Sequence, residues 1–282
     1  MDASFEHCAA LVREVDRDRY LATLFAPAEH RDALYALYAF NIEISRVRDL
    51  AREPIPGEIR LQWWREALSG ERGGEAAGHP VASALRAALA RYELAPERLI
   101  GSIDAHAFDL YDEPMATVTD LEIYGIKTQS ALFAMAGEIL GGGKADELLA
   151  VDAGIAQAVV AVLQGLAKHA ARRQLYLPLD LVNRHGADQN ELFAGEAGAA
   201  LQAVLGDLRA LARRHLAAAQ SRLDAARSDG LPALLPAALL GPTLARMERR
   251  DYAPLRFQPI APWRRQWLLW RAARDPRRIF KT

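Results

Sequence analysis

Arg46, Arg48 and Asp49 close a stretch that begins Tyr38-Ala39-Phe40-Asn41-Ile42-Glu43-Ile44-Ser45. Lys168, His169, Arg172 and Arg173 close a second stretch, which passes Gly154, Ala158, Ala161 and Gly165. Residues four apart on a helix share a face, and Ser45 with Asp49, like Gly165 with His169, has that spacing. Paired carboxylates at such positions on two facing helices would clamp Mg²⁺, a hard ion that takes oxygen ligands. Of these residues only Asp49 is a carboxylate, and it stands beside Arg46 and Arg48 in the chain, with Lys168 added if the two stretches face each other. A dication there meets repulsion instead of ligands. Two readings of the cations remain open. Arg172 and Arg173, with Arg46 and Lys168, suit a metal-free grip on a phosphate or lipid head group, or they are an ordinary solvated charge run.

Further residues carry chemistry singly. His169 has no Cys, His or Glu at i±4, so a polar lining role weighs more than a metal ligand. His106 and Asp109, three apart, read as a structural hydrogen bond or as a pair with something across a bundle. Cys8 reads as buried filler. The small residues Gly154, Ala158, Ala161 and Gly165 either line a cavity or let helices pack closely. Near the C-terminus Trp263, Trp267 and Trp270 share a helix face, with Arg264, Arg265, Arg271, Arg274, Arg277, Arg278 and Lys281 around them. That combination suits an interfacial helix on anionic lipid, a protein-docking face, or Trp packed inward with Arg in water. The spacing leans towards docking for Trp267 and Trp270 and towards packing for Trp263.

The elements that position these residues are helical. Ala33, Leu37, Phe40 and Ile44 recur at spacings of four, three and four, which predicts a helix over 29–49 with one buried face. A shorter helix over 57–69 carries Leu61, Trp64 and Leu68. Further helices are predicted near 80–92, 96–110, 119–140, 144–171, 195–226, 231–249 and 262–274. Gly141-Gly142-Gly143 and Gly186 are the clearest breakers, and 69–75 reads as a polar loop. Strand alternation, internal repeats and linker composition are all missing, which predicts one all-α domain over 1–282.

Both stretches resemble the squalene/phytoene synthase family, whose members condense two prenyl diphosphates head to head. There the first frame reads Y-A-F-C-R-x-x-D-D-x-x-D, and the second Q-x-x-N-x-x-x-D-x-x-x-D followed by R-R-G-R-x-Y-L-P. In this chain Ser45 and Arg46 stand at the paired Asp, Ala158 and Ala161 at the Gln and Asn, and Gly165 and His169 at the later acids. The flanks persist as Tyr38-Ala39-Phe40 and as Arg172-Arg173-Gln174-Leu175-Tyr176-Leu177-Pro178. By the same resemblance Tyr38, Tyr124, Arg172, Arg173 and Tyr252 are ligand-binding positions. Asp109 takes a structural role near the site.

Three signatures, Ala39-Phe40-Asn41-Ile42-Glu43, Gln62-Trp63-Trp64 and Thr128-Gln129-Ser130, together with Leu177-Pro178-Leu179-Asp180 and His185-Gly186, resemble the metal-site-deficient branch of that family. That branch includes an assembly factor for respiratory complex I. The resemblance implies the isoprenoid-synthase helical bundle, with the 29–49 and 144–171 helices facing a central cleft. It implies no catalytic residue, metal or cofactor, and a role in maturing NADH:ubiquinone oxidoreductase with its subunits or assembly intermediates as partners. Two other functions stay open: a divergent prenyl-diphosphate condensing synthase, and a metal-free carrier of an isoprenoid or lipid.

Bulk properties narrow the rest. Formal net charge is −1 over 282 residues, so no global field points to nucleic acid. One cysteine excludes a disulfide framework and a thiolate zinc site. The first residues lack the basic and apolar regions of a secretory signal, and no uninterrupted apolar run approaches the roughly 18–20 residues of a spanning helix. A soluble, cytoplasmic chain with peripheral contact at the inner face of the membrane is the expectation.

Overall fold

Prolines and glycines set most of the element boundaries in this chain. The computed structural model describes residues 3–51, 53–111, 113–141, 144–223 and 228–281. The helices are α1 (Ala3–Val15), α2 (Arg17–Thr23), α3 (Ala28–Ser45), α4 (Val47–Leu50), α5 (Pro54–Ser69), α6 (Gly73–Gly78), α7 (Pro80–Arg91) and α8 (Glu97–Ala107). They continue with α9 (Val118–Gly125), α10 (Ala131–Ile139), α11 (Lys144–Ala171), α12 (Leu179–His185), α13 (Gln189–Phe193), α14 (Ala199–Arg222), α15 (Leu240–Met247) and α16 (Pro262–Arg274). No strand occurs among the described residues. The chain is all-α, as its periodicity predicts.

Pro27 precedes the first turn of α3, and Pro54 opens α5, where its missing N–H has no helical partner to lose. Gly70 at φ +92° ends α5 and Gly186 at φ +61° ends α12, in the left-handed region that favours glycine. Gly141 likewise sits at φ +86°, while Gly142 and Gly143 lie outside the described residues. A capping box of Thr117 and Asp120 starts α9.

Four predicted helices differ in detail. The 29–49 helix breaks at Arg46, with φ −96° and ψ 0°, and restarts as α4. The 119–140 stretch is interrupted by a wider π turn over Ile126–Ser130. Most of 231–249 is a 3₁₀ segment, Ser228–Leu239, because Pro232 and Pro236 cannot donate the i→i−4 bonds of an α-helix. The 195–226 helix is α14, with 224–226 outside the described residues. The polar loop at 69–75 gives way to α6 from Gly73.

The chain forms two compact units, each drawn from three segments. The first comprises Met1–Tyr111, Ala131–Glu147 and Ala225–Pro236. In it α1 packs on α3 and α7, α5 on α8, and α10 on α3. Leu34, Leu37, Phe40, Trp64, Leu85 and Ile103 fill its interior. Cys8 is fully buried there, and burial pushes its thiol up to about 12. The second unit comprises Asp112–Ser130, Leu148–Asp224 and Ala237–Thr282, with α12 and α15 packed on α14. The Glu147–Ala171 part of α11 is long and apolar enough to cross a membrane by length and composition alone. Two-thirds of its most apolar window (67%) is buried inside the protein.

Candidate functional site

The first frame lies in the first unit. Ser45, Arg46 and Asp49 are exposed. Because the helix breaks at Arg46, Ser45 ends α3 while Asp49 belongs to α4. The shared-face argument from their spacing therefore does not carry across the break. The Ser45 hydroxyl donates back to the Ile42 carbonyl at 3.4 Å. Tyr38 is buried, 3% exposed, beneath the Arg19 guanidinium at 5.5 Å from its ring. Arg19 in turn pairs with Asp16 at 2.7 Å, and burial pushes the Tyr38 phenol up to about 12.

The signature residues of this unit hold structure together. Trp64 is buried edge-on to Phe40 and to Trp63, each at 5.2 Å between centroids. His79 packs on both Trp rings while its Nδ1 accepts the Ala82 N–H at the start of α7. Gln62 and Trp63 line a surface groove of about 480 Å³ with Glu58, Ile59 and Arg72. His106 and Asp109 bond to each other at 2.7 Å, both buried, which is the structural hydrogen bond that their spacing favours.

The second frame lies in the second unit, and its small residues permit close packing. A Cβ at Gly154 would stand 2.2 Å from Ser130 Oγ and 2.3 Å from Ser130 N. A Cβ at Gly125 would meet the Ile155 backbone at 3.1 Å and the Ala158 methyl at 3.2 Å. The Ser130 hydroxyl donates to the Val151 carbonyl at 2.9 Å, and the Thr128 hydroxyl to the Tyr124 carbonyl at 2.7 Å. Thr128 and Ser130 of the third signature thus fasten the π turn and seat it against α11. Ala158 is buried and Ala161 exposed. Gly165 lies under the His169 ring, which also packs, tilted, on Tyr176 at 4.4 Å between centroids. Tyr124 is half-buried, while Lys168, Arg172 and Arg173 are exposed. The Arg173 guanidinium sits 5.3 Å over Phe193. Leu179 and Asp180 donate their N–H groups to the Met115 and Ala116 carbonyls at 2.9 and 3.1 Å, which anchors the Leu-Pro-Leu-Asp motif.

These residues do not fit a carboxylate-bound metal cluster. Position 45 offers a hydroxyl turned onto its own helix, positions 158 and 161 offer methyl groups, and 165 offers no side chain. Position 169 offers an imidazole packed against a tyrosine. Among the described residues, no group of three or more His, Cys, Asp or Glu is placed to hold a metal ion.

Sequence reasoning missed two arrangements in this unit. His215 bridges Asp152 (2.9 Å from Nδ1) and Glu122 (3.2 Å from Nε2), and Arg222 donates to Asp152 at 2.6 Å. These partners are 63 and 93 residues from His215, so no local pattern announces them. Tyr252 sits in a cavity of about 290 Å³ lined also by Arg246, Arg249 and Arg256. Its phenol is pushed up by burial, against the pull of Arg209 and Arg246.

On α16 all three tryptophans face water, Trp263 at 71%, Trp267 at 47% and Trp270 at 44% exposure. The inward packing expected of Trp263 is not found, because Leu268, Leu269 and Ala272 supply the buried face of that helix. Arg271 lies 4.6 Å over the Trp267 ring and Arg274 4.6 Å over the Trp270 ring. Arg278 is exposed and pairs with Asp275 at 2.8 Å.

The squalene/phytoene synthase family model matches residues 12–271, a span that runs through both units. The chain belongs to this family. Within it the chain is 32% identical to complex I assembly factor 6 of Rattus norvegicus over 248 residues, covering 87% of this chain and 74% of that protein. It is 31% identical to the Homo sapiens protein over the same shares. Phytoene synthase of Thermus thermophilus is 28% identical over 218 residues, covering 76% of this chain and 72% of that enzyme. A dehydrosqualene synthase crystal structure superposes with a TM-score of 0.84 at 18% identity, covering 97% of this chain and 96% of that one. At that identity the likeness establishes the isoprenoid-synthase fold.

Proposed function

We propose that this chain is a non-catalytic member of the family that acts in the assembly of respiratory complex I, with complex I subunits or assembly intermediates as its partners. The observation that carries the reading is a conjunction. The chain is about a third identical to complex I assembly factor 6 of rat over most of its length, and of the acids with which the family's synthases hold Mg²⁺ it keeps Asp49 alone. The residues it shares with the metal-deficient branch have packing tasks instead. Trp64 fills a core, Ser130 locks onto the Val151 carbonyl, and Leu179 anchors to Met115. A scaffold kept while its ligands are lost serves recognition better than turnover. On this reading the chain works in the cytoplasm, at the inner face of the membrane.

The deciding experiment has two arms. Membranes from a strain lacking this chain are assayed for NADH:ubiquinone oxidoreductase activity, with and without the gene restored. The expected result is a loss that both the wild-type and an Asp49→Ala chain repair. In the second arm the purified protein is given Mg²⁺ and a prenyl diphosphate, and no diphosphate release is expected. Unchanged NADH oxidation in the deletion strain overturns the assembly role, and diphosphate release that Asp49→Ala abolishes installs the condensing synthase in its place.

A further inference from the structure

We infer that α16 is a membrane-docking helix that lays Trp263, Trp267 and Trp270 into the head-group region of an anionic bilayer. The inference is independent of the assembly role, since it rests on this helix alone.

The apolar side of α16 splits in two. Leu268, Leu269 and Ala272 are buried in the protein, and the Trp residues at i, i+4 and i+7 form an outer face that nothing in the second unit covers. Single exposed apolar residues are ordinary on a protein surface, but three tryptophans in register are not.

Charge selects the occupant. α16 contains four arginines and no Asp or Glu. Over 262–282 there are seven basic side chains against one acid, Asp275, in a chain whose formal net charge is −1. This segregation complements an anionic lipid surface. The position of the cations on the face argues further. Arg271 and Arg274 lie directly over Trp267 and Trp270, so any partner that covered the rings would also bury two guanidinium groups. Burying a guanidinium costs free energy unless the partner supplies a paired, hydrogen-bonded acceptor for it. At a bilayer surface the same guanidinium groups stay hydrated and meet lipid phosphates, while the indoles take the interfacial depth that Trp favours.

The test is flotation of the full chain with vesicles of phosphatidylcholine containing about one-third phosphatidylglycerol, against pure phosphatidylcholine, with indole fluorescence read in parallel. Binding to the anionic vesicles is expected, with a blue shift, weak binding to the neutral ones, and loss at high salt. Trp267→Ala with Trp270→Ala, and separately Arg271→Glu with Arg274→Glu, should each keep the wild-type circular dichroism and melt. Each should lower the partition coefficient on the order of tenfold or more. A wild-type chain that stays off anionic vesicles overturns the inference, including the case where sedimentation shows α16 covered by a second copy. Binding that survives both folded double variants overturns it as well. Should the Trp pair fail to fold, the Arg pair decides alone.

Discussion

Ser130 and Gly154 touch so closely that no side chain fits at position 154: a Cβ there would lie 2.2 Å from the serine oxygen and 2.3 Å from its backbone nitrogen. The obstacle is largely backbone, which cannot swing aside as a side-chain tip can. Gly154→Ala should therefore destabilise the protein by about 1–3 kcal/mol as α11 and the π turn are forced apart. Gly101→Ala, in helix α8 with nothing within 4 Å of its Cβ, should stabilise by roughly 0.5–1 kcal/mol. Chemical denaturation of the two variants beside wild type checks both signs. Equal effects would mean that α11 packs more loosely at Gly154.

Gly165 and His169 form a second coupled pair. A Cβ at 165 would meet the His169 ring at 2.5 Å, and that ring packs against Tyr176. Gly165→Ala alone should push the imidazole off the tyrosine and cost stability, although alanine is the better helix former. In a His169→Ala background the obstruction is gone and the same change should become neutral or favourable. The double-mutant cycle should show a coupling of about 0.5–3 kcal/mol. Strict additivity would sink the idea that His169 fills the space left by the missing side chain.

How much of this was legible beforehand depends on whether the cause is local. The burial of Ala33, Leu37, Phe40 and Ile44 follows from their helical period, and the His106–Asp109 bond from a spacing of three. The break at Arg46 had no announcing residue, since arginine is a good helix former and no glycine or proline stands nearby in the chain. The π turn at 126–130 was not read from the sequence either, and its close contact is with Gly154, some two dozen residues on. Pro232 and Pro236 did announce the 3₁₀ segment, and a reading from apolar period alone passes over them. Trp263 shows the limit of periodicity. A stripe at i, i+4 and i+7 says that three residues share a face, but which side of the helix is covered is decided by Leu268 and Leu269.

Asp152 should be the costliest carboxylate to remove from the second unit. It is buried, accepts from Arg222 at 2.6 Å and bonds His215 at 2.9 Å. Asp152→Ala takes from His215 one of its two carboxylate partners and from Arg222 its shortest acceptor, and should destabilise by about 1–3 kcal/mol. Arg222→Ala should cost only about 1 kcal/mol or less, because its side chain is already 41% exposed to water. Thermal melts rank the two. A reversed order would show that the arginine, and not the aspartate, holds α14 to α11.

His79 makes the stability of the first unit depend on pH. Its ring is packed on Trp63 and Trp64, and burial lowers its pKa below the ordinary 6.5. Its Nδ1 accepts the Ala82 N–H, a role open only to an unprotonated nitrogen. The unfolded chain therefore takes up a proton at 6.5 that the folded chain resists until lower pH. The sign follows from linkage: stability is complete above pH 6.5 and falls as the pH drops from there through the lowered folded value. His79→Asn keeps a side-chain acceptor at the start of α7 and removes the titration, at the expense of ring contacts with the two tryptophans. The variant should be less stable at pH 8, yet lose less on going from pH 8 to pH 5.5 than wild type does. Melting both proteins at both values measures the difference directly. Parallel losses would mean that His79 is protonated in the fold, and that the α7 start is held by something other than this imidazole.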